Sequence, residues 1–242
     1  MSEVRVFSTS VYERSFAEVS SRPDRCHLCS ELASPTSVWN QPLFESENFA
    51  VLPSLGALVE GWLLLFPKRH FLSMGALPSY IRDEFSLMKS RVTELVTSAY
   101  ERPVIFEHGA GGNHRTVGCG VDHAHLHFVP LALDLEAAAR DLLPRDAMWH
   151  GATLVDCCDA YASGRDYLYL EQQSGRGRIA VSETIGSQVF RKAIARSQAR
   201  PTEYSWREHP QLRVVAATIA TIREQLRPID TSVSVGSVHV SA

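Results

Sequence analysis

Apolar and polar positions alternate most sharply between Asp122 and Pro130, where His123, His125 and His127 are interleaved with Ala124, Leu126 and Phe128. Successive side chains of an extended strand point to opposite faces, so this run predicts a strand with an imidazole face backed by a core face. Upstream, Phe49-Ala50-Val51-Leu52 and Gly61-Trp62-Leu63-Leu64-Leu65-Phe66 are strand-length apolar runs around a turn at Pro53-Ser54-Leu55-Gly56, the pattern of a hairpin with a long loop. Between Pro78 and Tyr100 the period changes. Ile81, Phe85, Met88, Val92, Leu95, Val96 and Ala99 recur at helical spacing, which predicts an amphipathic helix. Val104-Ile105-Phe106-Glu107 predicts another strand, and Phe7 to Val19 a short helix.

Beyond Pro130 the pattern predicts helices over Leu133–Leu143, Ser187–Ala199 and Val214–Leu226, the last with Val214, Val215, Ile219, Ile222 and Leu226 on one face. Tyr167-Leu168-Tyr169-Leu170 and Arg178-Ile179-Ala180-Val181 predict a hairpin around Ser174-Gly175-Arg176-Gly177. The chain therefore divides into a core over residues 1–132 and an extension over 133–230 that covers the core or completes its pocket. A small, polar tail over 231–242 is expected to be disordered. No internal repeat has a fixed period.

Composition narrows the class without naming a function. With 242 residues, 45% hydrophobic and 21% charged, the chain has the make-up of an ordinary globular protein. A net charge of −3 gives no electrostatic reason to expect general nucleic-acid binding or an acidic membrane as partner. The polar start, Met1-Ser2-Glu3-Val4-Arg5, does not read as a secretory signal, and Trp62–Phe66 is far too short to span a bilayer. Five cysteines without such a signal point to thiols or metal ligands in a reducing, cytoplasmic setting.

Three stretches carry candidate chemistry. Clustered imidazoles on one strand face are costly to bury unless they have hydrogen-bond partners or a metal, and a neutral imidazole is a competent nucleophile near pH 7. Cys26-His27-Leu28-Cys29 has the spacing at which two thiolates hold one tetrahedral ion, and also that of a redox pair. The glycine-rich run from Glu107 to Gly120 can present clustered N–H groups to an anion; without a Lys-Ser/Thr ending it is not a P-loop. Within it the Arg115 guanidinium suits phosphate best. Cys157-Cys158 read as core thiols, Ser187 as the N-cap of the helix carrying Arg191, and Arg207-Glu208-His209-Pro210 as a solvated turn.

The run His123 to Val129 matches His-φ-His-φ-His-φ-φ, with φ apolar, at every position. It resembles the signature of the histidine triad superfamily of nucleotide hydrolases, nucleotidyl transferases and phosphorylases. The resemblance extends from about Cys26 to Pro130. It implies an α+β, histidine-triad-like fold, a mainly antiparallel sheet with a long packed helix, here followed by a C-terminal α/β extension. It also implies that His125 attacks a nucleoside α-phosphate and carries a covalent nucleotidyl group. His127 would then donate to the same phosphate or to the leaving group. Ser54 would lie toward the nucleoside, and Asn113, Arg115 and Thr116 toward phosphate or leaving group. Relatives often carry Asn or Asp where this chain has Pro53-Ser54.

Cys26, Cys29, His70 and His123 match one by one the zinc ligands of zinc-containing members, including the galactose-1-phosphate uridylyltransferase branch. That match implies a structural zinc ion; His27 is an alternative ligand. Phe106-Glu107 and Gly118-Cys119 also resemble that branch, whereas His127 stands where it carries Gln and so resembles the hydrolases. The implied partner is a nucleotide or dinucleotide substrate, with a homodimer left open. Two other readings remain: a non-catalytic, zinc-stabilised nucleotide-binding module, and a zinc hydrolase, which would require an open metal position.

Overall fold

In the computed structural model, residues 26–35, 37–111 and 123–227 are described. The strands are β1 (Phe44–Glu45), β2 (Phe49–Pro53), β3 (Leu63–Pro67), β4 (Val104–Gly109), β5 (Leu126–Val129), β6 (Trp149–Gly151), β7 (Tyr167–Glu171) and β8 (Gly177–Val181). They form one sheet in the order β1-β2-β3-β5-β4-β7-β8-β6, antiparallel at every pairing. The expected hairpin is present as β2 and β3, with Phe49 opposite Pro67 and Pro53 opposite Leu63. β7 pairs directly with β4, so the hairpin of the C-terminal half continues the same sheet.

The strands read as unbroken apolar runs because both faces of the sheet are covered. On one face lies the long helix α2 (Arg82–Ala99), which follows α1 (His27–Ala33) in the chain. Its Phe85, Met88, Val92 and Val96 pack with Phe49, Val51, Leu63, Leu65, Leu126 and Phe128 in one core. The expected core face of the histidine run, Ala124, Leu126 and Phe128, lies in that core. Next come α3 (Leu135–Ala139), α4 (Leu154–Ala162), α5 (Val189–Ser197) and α6 (Leu212–Gln225). The opposite face of the sheet is covered by α5. Its Val189, Phe190, Ala193 and Ile194 pack with Trp62, Phe106, Leu168 and Leu170 in a second core.

Several local expectations are corrected. The ladder of the histidine strand spans only Leu126–Val129, and its last pairing with β3 is Leu126 opposite Leu65. Ahead of it the Ala124 N–H donates instead to the Phe71 carbonyl at 2.7 Å. Helix α5 is capped by Gln188 at φ 58°, not by Ser187, and the cap makes no side-chain hydrogen bond. The helix expected over Leu133–Leu143 is α3 followed by a 3-10 turn, Arg140–Leu142. Helix α4 was not legible from spacing; Thr153 and Asp156 start it as a capping box. It carries Cys157, which is core, and Cys158, which is only half-buried. The helix expected over Phe7–Val19 and the tail from Thr231 lie outside the described residues. Among the described residues, no helix is long and apolar enough to cross a membrane.

Candidate active site and metal centre

His125 and His127 are buried beside each other on the sheet face under α5, with ring centroids 4.8 Å apart. Each has one ring nitrogen assigned by a partner of fixed role. His125 Nδ1 lies 2.6 Å from the His123 carbonyl oxygen, which can only accept, so Nδ1 carries the proton and Nε2 the lone pair. His127 is the reverse. The Trp62 indole N–H, a donor only, reaches its Nδ1 at 2.9 Å, so a neutral His127 carries its proton on Nε2. The Phe106 ring stacks on His127 at 4.4 Å between centroids and fixes its plane. Burial lowers both imidazole pKa values, with the nearby Arg191 charge acting in the same direction. At neutral pH the pair is therefore a lone pair beside an N–H donor, both uncharged.

The cleft next to these rings is lined by Leu52, Ser54, Leu64, Trp39, Arg191 and Trp206, together with Leu28 and Glu31 of α1. Ser54 lines the same cleft as both histidines, with its N–H bonded to the Trp62 carbonyl at 2.9 Å. Asn113, Arg115 and Thr116 lie outside the described residues. At the start of their loop the Gly111 N–H donates to Asp166 Oδ1 at 2.9 Å. A Cβ at Gly111 would come within 2.1 Å of the Arg165 backbone, so only glycine allows that approach.

The sequence reading placed one residue of this region, Arg191, only on the helix expected to be capped by Ser187, and passed over another, His108. Arg191, 1% exposed, reaches the cleft from α5; the available signal was a cation set among Val189, Phe190, Ala193, Ile194 and Ala195. His108 follows Phe106 on β4 with one residue between, on the same strand face. It is buried, neither ring nitrogen has a hydrogen-bond partner among the described residues, and burial lowers its pKa to about 4, with His125 adding to the effect.

The first histidine of the run, His123, converges with three other side chains, Cys26, Cys29 and His70, with the four donor atoms all within 4.8 Å of one another. The cysteines come from the start of α1, His70 from the segment after β3, and His123 from the segment before β5. His123 donates from Nε2 to the Pro67 carbonyl at 2.7 Å, which leaves the Nδ1 lone pair toward the thiols. The Nδ1 of His123 is 3.6 Å from Cys26 Sγ and 3.4 Å from Cys29 Sγ, and His70 Nδ1 is 3.5 Å from Cys29 Sγ. Around a tetrahedral ion with bonds of about 2.3 Å to sulfur and about 2.0 Å to nitrogen, the S···N edges are about 3.6 Å. The donor set and its spacing fit such an ion. Without a cation, burial pushes the Cys29 thiol up to about 12, with Cys26 beside it adding to the rise. The side chain of His27, the alternative ligand, lies outside the described atoms.

No family model matches the sequence, and no curated protein matches it either. Solved structures give partial likenesses. A hypothetical histidine triad nucleotide-binding protein from Sulfolobus tokodaii is 19% identical over 43% of this chain and 68% of its own, with a TM-score of 0.36. A zinc-bound histidine triad family protein from Mycobacterium smegmatis is 17% identical over 58% of this chain and 93% of its own, with a TM-score of 0.37. A Hit-like protein involved in cell-cycle regulation from Bartonella henselae is 10% identical over 58% of this chain and 97% of its own, with a TM-score of 0.38. None of these values assigns an activity to this chain.

Proposed function

We propose that the protein is a nucleotide hydrolase or nucleotidyl transferase acting at a nucleoside α-phosphate, with His125 as the nucleophile. The observation that carries this reading is the complementary pair of tautomers: a lone pair on His125 Nε2 beside an N–H on His127 Nε2. In the first step the His125 lone pair attacks phosphorus in line and the bond to the leaving group breaks. The uncharged His127 donates a hydrogen bond from Nε2 to a phosphate oxygen or to the departing oxygen, which takes its proton from solvent. In the second step water or another acceptor attacks the phosphoramidate, and the electron pair returns to His125. Ser54, Asn113, Arg115 and Thr116 are the proposed substrate contacts, and His108 is a further buried imidazole at hand.

Cys26, Cys29, His70 and His123 would hold a zinc ion. Four protein ligands make it a structural ion that orders the strand approach to His125 rather than a Lewis acid. Turnover of a panel of dinucleoside polyphosphates, nucleoside phosphoramidates and nucleotide sugars, with product identification, tests the function. Binding without turnover anywhere in the panel would favour a non-catalytic nucleotide-binding module.

A further inference from the structure

Arg191 stands where the C-terminal half of the chain meets the two histidines. It belongs to α5, outside the segment that carries the triad, and lines the cleft with His125, His127, Ser54 and Trp206. Its Nε donates to the Tyr204 carbonyl at 2.8 Å and one Nη donates to the Gly56 carbonyl. Its guanidinium carbon lies 4.8 Å from the centre of the Trp62 ring, the same ring whose N–H orients His127. Backbone carbonyls and an aromatic face are among the groups that hold this guanidinium in place.

The surroundings are built around this group. Gly56 sits at φ +67°, where a Cβ would come within 2.7 Å of Arg191 Nη2 and 2.6 Å of Trp206 Cα. The β2–β3 loop, the guanidinium and the Trp206 segment thus meet with no room for even an alanine. The Gly56 N–H donates in turn to the Pro210 carbonyl at 2.8 Å, tying the loop to the same C-terminal segment. The result is a fixed, buried cation beside an imidazole lone pair and an imidazole N–H. An anion bearing several oxygens is the ligand that this combination suits.

We propose that Arg191 is a phosphate-recognition residue that the C-terminal extension supplies to the triad cleft. It would bind the charged oxygens of the phosphoryl group positioned over His125, so that the cleft selects phosphorylated nucleosides over the nucleosides themselves. This rests on the phosphoryl-transfer reading of the cleft and adds the cation that recognises the phosphate.

Calorimetric titration of the full chain with inorganic phosphate, a nucleoside monophosphate and the matching nucleoside tests it. In Arg191→Gln, affinity for both phosphate-bearing probes should fall by about thirtyfold, with the nucleoside changed by less than about threefold. Equal loss for all three probes would make Arg191 a packing residue and overturn the proposal. So would unchanged phosphate affinity in a folded Arg191→Gln protein. If that variant does not fold, Arg191→Lys decides, because an ammonium lacks the fork that bridges carbonyl and phosphate. A loss of about threefold to tenfold confined to the phosphate-bearing probes supports the proposal; no loss, or equal loss for the nucleoside, overturns it. Inorganic phosphate carries no nucleoside, so its loss supports the anion role even where no nucleotide is turned over.

Discussion

The indole N–H of Trp62 donates to Nδ1 of His127 at 2.9 Å, and both side chains are buried. A donor that cannot accept dictates the tautomer of its partner, so Trp62 places the His127 proton on Nε2. Trp62→Phe keeps an aromatic ring but removes that constraint. kcat should fall about tenfold or more, part of what a positioned hydrogen-bond donor contributes, and stability should drop by about 1–3 kcal/mol from the unpaired imidazole nitrogen. Steady-state kinetics with nitrogen-15 imidazole spectra check both halves; a changed tautomer with an unchanged kcat would remove His127 as donor.

The metal hypothesis predicts about one zinc per chain and a role in holding α1. Cys26 and Cys29 flank the start of that helix, whose Leu28 and Leu32 pack on Ala50, Leu52 and Phe66, and whose Leu28 and Glu31 line the cleft. Cys29→Ser should lose the metal and lower Tm by on the order of 10 °C. Amide exchange should speed up in residues 27–33, and KM should rise more than kcat falls. Elemental analysis of native protein showing no zinc would remove the hypothesis; zinc bound with Cys26 and Cys29 still reactive would remove the ligand assignment.

Much of this arrangement was legible in the sequence, and the reasons are local. The histidine run and α2 carry apolar positions at strand and helix period, and the β2–β3 hairpin shows as two strand-length apolar runs around a Pro/Gly turn. The donor set Cys26, Cys29, His70 and His123 came from a family pattern, not from spacing, because its members are up to 97 residues apart. What stayed hidden depended on tertiary pairing. β1 and β6 have two and three residues, too few to show alternation. Arg191 was legible as a cation near a helix start, but its place in the cleft depended on α5 packing over the sheet. His108 lay inside a glycine-rich stretch, where its strand face became apparent only from the β4 pairing.

Glu107 supplies a pH test independent of catalysis. Burial raises its pKa from 4.5 to about 7, although Tyr167 and the Met74 N–H donate hydrogen bonds to it and oppose the rise. A carboxyl group raised on folding contributes stability that is complete below its unfolded pKa and lost as pH rises through the folded value. Relative to Glu107→Gln, the wild type should therefore lose roughly 3 kcal/mol between about pH 4.5 and pH 7.5. Denaturant midpoints of both proteins across that range check it; a constant difference would mean that Glu107 stays ionised.

Arg115, read from sequence as a phosphate contact, predicts that Arg115→Ala weakens nucleotide binding while leaving Tm in place. One charged hydrogen bond is worth about 1.5–3 kcal/mol, or roughly tenfold to a hundredfold in affinity. Unchanged kinetics across substrates with different phosphate tails would put Arg115 outside the site.

The last prediction concerns His125. Its Nδ1–H is held by the His123 carbonyl at 2.6 Å, and His123 is itself tied to Pro67 and to the thiol cluster. The Nε2 proposed to attack is thus positioned by backbone, not by a side chain that could rotate away. His125→Gly removes the nucleophile but not Arg191 or His127, so nucleotide binding should persist within about tenfold while turnover falls by more than about a thousandfold. Quenched under non-acidic conditions, which preserve a phosphoramidate, wild-type enzyme should carry a nucleotidyl mass on the peptide containing His125. A fast second step would keep that adduct from accumulating, so the kinetic result decides. Near-wild-type turnover by His125→Gly on a confirmed substrate excludes covalent catalysis through this residue. Rescue of the same variant by free imidazole, saturable and dependent on imidazole concentration, would show that the missing group is the nucleophile and not a structural support.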